Sequence, residues 1–179
     1  MKRAIMCAVV LAVSVGWLLT GAAVGQAVKA NNKDQQFVQH AARDGLAEVQ
    51  MGQMAAERAS NPEVQRFGQR MVTDHSKANQ ELMTLAQSKN ISVPKDIDKQ
   101  HQKTAEALGK KRGTSFDRDY TRDMVSDHEK AVRLFTTEAN DGSDPDIKAF
   151  ASKTLPTLQE HLQMARQLTQ QQGSMSQAR

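Results

Sequence analysis

The chain has 179 residues, with 24 Lys and Arg against 20 Asp and Glu, and a single cysteine. A formal net charge of +4, half of it carried by Lys2 and Arg3, leaves too little positive excess for a nucleic-acid surface. One cysteine excludes internal disulfide staples, so the chain must rely on one packed core.

The first element is a leader. Met1-Lys2-Arg3 precedes an uncharged stretch from Ala4 to Gln26, rich in Val, Leu and Ala and ending in small residues. That order is a secretory signal peptide over 1–27, with cleavage expected after Ala27 or after Gly25. The expectation is a periplasmic or secreted protein with no transmembrane domain once the leader is gone. An uncleaved leader is long enough to anchor the chain in a membrane. Cys7 lies inside it, too early to be a lipid-attachment site.

Four amphipathic segments follow, predicted as helices over 33–59, 62–89, 114–139 and 145–171. No stretch alternates with the period of a strand, so the fold class is all-α, a four-helix bundle. Asn61-Pro62-Glu63 and Asp144-Pro145-Asp146 each combine a capping residue, a proline at the first helical position and an acid in the first turn. The starts are alike over a longer span, Ser60 to Phe67 against Ser143 to Phe150, as in two related helix pairs. A short link at Ser60-Asn61 makes the first two helices antiparallel. The long connection from Asn90 to Gly113, with a short charged helix over 96–111, can return along the bundle and set the second and third main helices parallel. Residues 172–179 lack core side chains and are expected to be a disordered tail.

The chemistry-bearing pattern is a repeat, Met71-Val72-Thr73-Asp74-His75 and Met124-Val125-Ser126-Asp127-His128, followed by Glu160-His161. With ~100° per residue, Glu48 falls on the small-residue face of the first helix, and Asp74 and His75 flank the core stripe of the second. On the third main helix the stripe Phe116, Tyr120, Met124, Ala131, Leu134 and Phe135 brings Asp127 closer to the core than His128. His161 faces inward on the fourth and Glu160 outward. Glu48, Asp74, His75, Asp127, His128 and His161 are therefore the candidate metal ligands, with Asp74 as ligand or as partner of one. Two or three imidazoles with one or two carboxylates suit a divalent metal such as zinc, iron or manganese. Met71, Met124 and Met164 share faces with the three histidines, a mixture that would suit copper, but methionine is expected here as core filler. The competing reading is a metal-free network in which Asp-His and Glu-His hydrogen bonds satisfy the layer, with Arg70 and Lys130 holding the aspartates. His40 and His101 are expected at the surface. Tyr120 is expected in the core.

The chain resembles the domain-of-unknown-function family 4142, exported bacterial proteins of ferritin-like fold. The resemblance rests on Gly45 to Val49, Asn61 to Val64, Met71 to Asn79, Phe116 to Tyr120, Asp127-His128 and Leu155 to His161, and spans roughly Asp34 to Leu168. It implies a ferritin-like four-helix bundle and an envelope location, and brings no activity. The di-iron pattern of that superfamily needs Glu three residues before His. Val72, Val125 and Leu158 stand there instead, which speaks against a ferroxidase or oxygen-activating site and leaves a mononuclear one open. No nucleophile, phosphate loop or cofactor motif points to an enzyme. The expected function is metal binding or envelope-stress protection, against a non-catalytic structural or interaction module; partners are unknown, and a homo-oligomer is compatible with the pattern.

Overall fold

The computed structural model describes residues 30–177, so the leader and the last two residues of the expected tail lie outside the described residues. Five helices follow in order: α1 Asn32–Arg58, α2 Pro62–Ser88, α3 Lys99–Gly109, α4 Gly113–Asp141 and α5 Pro145–Gln177. No strand occurs among the described residues. The result is a ferritin-like four-helix bundle of α1, α2, α4 and α5, with α3 inside the long connection. The main helices match expectation within about two residues except at the end of α5, which continues to Gln177 rather than stopping at 171.

Local sequence explains the helix starts. Asn31 and Asp34 form a reciprocal capping box on α1. Asn61 caps α2 ahead of Pro62. Asp98 accepts from the Gln100 and His101 amides, both at 2.9 Å, and starts α3. Asp144 accepts from the Asp146 and Ile147 amides and starts α5. α4 lacks a side-chain cap and opens on Gly113, whose φ of +59° is a left-handed conformation that glycine adopts without strain.

The two sequential hairpins, α1 with α2 and α4 with α5, pack closely within themselves and more loosely against each other. Two glycines allow the close packing in the first hairpin: a Cβ on Gly68 would lie 2.7 Å from both the Ala56 nitrogen and the Gly52 carbonyl oxygen. The α1 and α2 backbones meet there, within two turns of Glu48 and His75.

Directions follow from the ends that touch. Asp117, just after the first turn of α4, accepts from the Ser60 and Asn61 amides, both at 2.9 Å, so α4 starts where α2 starts and the two run parallel. Asp34, in the first turn of α1, accepts from the Ser143 amide at 2.9 Å and the Asp144 amide at 3.1 Å, so α1 and α5 run parallel from the opposite end. Both aspartates are fully buried. Lys89, at the end of α2, bridges Asp144 and Asp146 at the start of α5. The crossover returns along α1, marked by Gln39 on the Ser92 carbonyl, Arg43 beside Asp98 and Arg58 on the Gly109 carbonyl.

Two apolar clusters fill the interior. One, toward the start of α1, holds Phe37, Leu82, Phe135, Phe150 and Leu158; the other, toward the start of α2, holds Met51, Phe67, Met71, Tyr120 and Met124. A polar layer lies between them.

Candidate metal centre

Each of the four main helices contributes to that layer. α1 supplies Glu48, α2 supplies Asp74 and His75, α4 supplies His128 and α5 supplies His161. Glu48, His75, His128 and His161 are 4%, 5%, 0% and 0% exposed, which leaves a carboxylate and three imidazoles almost wholly enclosed. The ring centroids stand 5.2 to 5.6 Å apart, His75 to His161 being the nearest pair.

Every ring has one nitrogen turned to a partner outside the triad. His75 Nδ1 lies 3.0 Å from Glu48 Oε2. His128 Nδ1 lies 3.0 Å from the Met124 carbonyl oxygen and 3.6 Å from Glu48 Oε1. His161 Nε2 lies 2.9 Å from Asp74 Oδ2, whose carboxylate is itself held by Arg70 at 3.2 Å. The other nitrogens, His75 Nε2, His128 Nε2 and His161 Nδ1, are buried and have no partner. One nitrogen from each of the three residues falls within 4.8 Å of the others. Backing imidazoles with carboxylates and a carbonyl is how proteins fix tautomer and orientation in metal-ligating histidines.

Electrostatics divides the three rings. Burial would raise the Glu48 carboxyl, but the charge of His75, then that of His128, holds it down at about 2. Burial acts to lower His75; the Glu48 charge and hydrogen bond outweigh it and raise this imidazole above its ordinary value. Burial depresses His128, and burial together with the positive charge of His75 takes His161 down to about 4. Asp74 is lowered, because the His161 and Arg70 hydrogen bonds outweigh its partial burial. The layer thus holds one positive charge comfortably, opposite Glu48.

Of the six candidate residues, five come together. Asp127 does not: it pairs with Lys130 at 3.0 Å and faces a cleft between α1, α3 and α4. The expected order within this dipeptide is corrected, since His128 is fully buried and Asp127 is half-buried at the layer's edge. The physical reason lies in the face of α4. Leu134, counted as core, is only partly buried and lines the same cleft, whereas Asp117 and Thr121 are fully buried. Exchanging those residues rotates the buried face toward His128. Glu160 is exposed, as expected, and pairs with Arg70. His40 is exposed, while His101 is partly buried against Asp98 at 3.1 Å. Tyr120 is buried, with a hydroxyl that meets no partner.

The cleft beside Asp127, of about 470 Å³, has Glu48 in its wall and Asp44, Asp98, Asp123, His40 and His101 around it. Burial, followed by the neighbouring Glu48 charge, pushes Asp44 up to about 6; burial and the charges of Asp127 and Asp119 do the same to Asp123. This acidic side is the polar approach from solvent to the back of the histidine layer. Sequence reasoning missed Asp44 and Asp123, because an acid on the flank of a helix reads as solvated.

Fold and site together define a helical bundle protein with a buried histidine triad backed by carboxylates. Residues 19–168 match the family described as domain of unknown function (DUF4142), and the chain belongs to that family. A comparison with curated proteins gives no match. Among solved structures the chain is similar to a DUF305 fragment from Deinococcus radiodurans, with 14% identity and a TM-score of 0.71, covering 80% of this chain and 99% of that one. It is similar to CopM in the Cu(II)-bound form, with 21% identity and a TM-score of 0.66, covering 77% of this chain and 96% of that one. CopM has also been solved in Cu(I)-bound and Ag-bound forms. At these identities the likeness establishes the shared helical fold.

Proposed function

We propose that this protein binds a single metal ion on His75, His128 and His161, with Glu48 and Asp74 orienting the rings from behind. The observation that carries this reading is the set of three buried, unpartnered ring nitrogens gathered in the bundle core. Leaving three such atoms unsatisfied costs roughly 1–3 kcal/mol each, a burden that a bound cation removes. An ion ~2.0 Å from each nitrogen needs them within about 3.5 Å of one another, and one nitrogen from each ring lies within 4.8 Å of the others before any ion binds. The metal-bound forms of CopM, a protein of similar fold, support the reading.

In the same reading the protein is exported and acts in the envelope, where a buried site withholds metal from other ligands. N-terminal sequencing of the mature protein tests the leader, and a mature protein that begins at Met1 would refute cleavage.

A second reading is favoured by one contact, the short His75 to Glu48 bond. In it the layer is a metal-free network that fixes helix register, with a proton on His75 in place of a cation. Elemental analysis of protein purified without chelator separates the two. Metal binding requires about one ion per chain, lost in His75→Ala, His128→Ala and His161→Ala. Protein that is metal-free and takes up no ion on loading sinks the first reading and leaves the second.

A further inference from the structure

The histidine layer has a second layer stacked on it. Met51 stands three residues after Glu48, Met71 four before His75, Met124 four before His128 and Met164 three after His161. Because α1 and α5 run opposite to α2 and α4, these opposite steps along the sequence all lead toward the same end of the bundle. Each step is about 4.5–6 Å along its helix axis, one turn. Met51, Met71 and Met124 are 1%, 0% and 0% exposed and pack in one cluster. The apolar cluster on the other side of the triad contains no methionine among the described residues. Met51, Met71 and Met124 therefore lie about one helical turn from the histidine layer on one side of it, while the Met164 sulfur accepts from the Arg70 guanidinium at 3.7 Å.

The carboxylate oxygens are placed elsewhere. Glu48 turns one carboxylate oxygen to His75 and the other to His128, and Asp74 faces His161, so both carboxylates stand behind the rings. A fourth donor that leaves this arrangement intact comes from the methionine cluster, where the thioethers stand with the unpartnered Tyr120 hydroxyl. Imidazole with thioether suits a soft cation; hard ions take oxygen, and structural zinc takes a fourth thiolate, imidazole or carboxylate. Charge agrees with softness. Three neutral imidazoles and a thioether add no charge, the Asp74 carboxylate is shared with Arg70, and Glu48 is the one fully enclosed anion facing the rings. A monovalent ion balances it, whereas a divalent ion leaves a positive charge in excess in the core.

We propose that the ion held by this triad is soft and monovalent, copper(I) or silver(I), and that a thioether of Met51, Met71 or Met124 completes its coordination. This rests on the metal-binding reading above and narrows it to a ligand class. The test uses purified protein titrated anaerobically with copper(I) against a chromophoric copper(I) chelator, with silver(I) by calorimetry, and with cobalt(II) and zinc(II) as harder probes. The expected result is one copper(I) per chain, with X-ray absorption showing nitrogen neighbours and one sulfur. Replacing Met51, Met71 and Met124 together by Leu should weaken copper(I) binding at least tenfold and leave cobalt(II) binding unchanged. The absorption spectrum of the unaltered protein needs no variant, so it decides the case even if the triple substitution fails to fold. Copper(I) or zinc(II) bound to the histidines with nitrogen and oxygen neighbours alone overturns the thioether proposal while the metal-binding reading stands. No uptake of copper(I), silver(I), cobalt(II) or zinc(II) overturns both.

Discussion

Glu48 is the residue on which the polar layer turns. Its carboxylate accepts from His75 and faces His128, so one buried anion serves two rings on two other helices. Glu48→Gln keeps the shape and removes the charge, which leaves His75 without the partner that favours its protonated form. The loss should be about 1.5–3 kcal/mol, the usual scale for a hydrogen bond to a charged group, and urea denaturation of metal-free protein at neutral pH measures it. An unchanged denaturation midpoint would mean that the bond contributes nothing. Glu48, His75 and His161 were legible from helical phase because their neighbours on each face are small or apolar. His128 was named as a candidate but placed farther from the core than Asp127, since two buried polar residues, Asp117 and Thr121, define its face as much as the apolar ones do. Phase analysis that counts only apolar side chains discards them.

At the scale of the helix, the site depends on how closely α1 and α2 approach. The approach is set at Gly52 and Gly68, between the Glu48 and His75 level and the interhelical turn. A Cβ on Gly68 would meet backbone atoms of α1, which have no rotamer with which to move aside. Gly68→Ala should destabilise the protein by about 1–3 kcal/mol as an overpacked contact, despite alanine's higher helix propensity. Thermal melting checks this, and a raised midpoint would show that the hairpin opens freely. At the far end of α4, Glu138 is buried beside Asp34 of α1 and Asp144 at the start of α5, with Lys148 of α5 nearby. Burial, then the Asp34 charge and hydrogen bond, raise its carboxyl from 4.5 to about 7. A group whose folded value lies above its unfolded one contributes stability fully below the unfolded value. That contribution is lost as pH rises through the folded value, here between about 4.5 and 7. Glu138→Gln, which keeps a donor for Asp34 at every pH, should remove this decline, on the order of 2 kcal/mol. Melting curves at pH 5 and pH 8 for both proteins test it; parallel profiles would contradict it.

Over the whole molecule, two sequence similarities carry different meanings. The Met-Val-Thr/Ser-Asp-His repeat joins α2 to α4, which are parallel but occupy different places in their hairpins. The likeness of Ser60 to Phe67 with Ser143 to Phe150 joins α2 to α5, and the same offset carries Asp34 onto Asp117 and Phe37 onto Tyr120. The structure gives this second register a physical counterpart: each hairpin's first helix offers a buried aspartate to the amides that open the other hairpin's second helix. The helix starts were legible and the clamps were not, because an acid close to a helix start reads as a partner of the helix dipole. The clamps hold the loosely packed hairpins together at opposite poles, with the histidine layer between them. Removing either carboxylate charge by Asp34→Asn or Asp117→Asn weakens bonds to backbone amides that are already buried, and each change should cost about 2–4 kcal/mol. The helices that separate the two aspartates are about 40 Å long, so the sites share no partner and the double variant should lose the sum of the two. Denaturation of the single and double variants measures both statements. A double variant no less stable than the weaker single one would mean that one pole already releases the hairpins, and that the three rings are held together by α1 against α4 and α2 against α5 rather than by the ends.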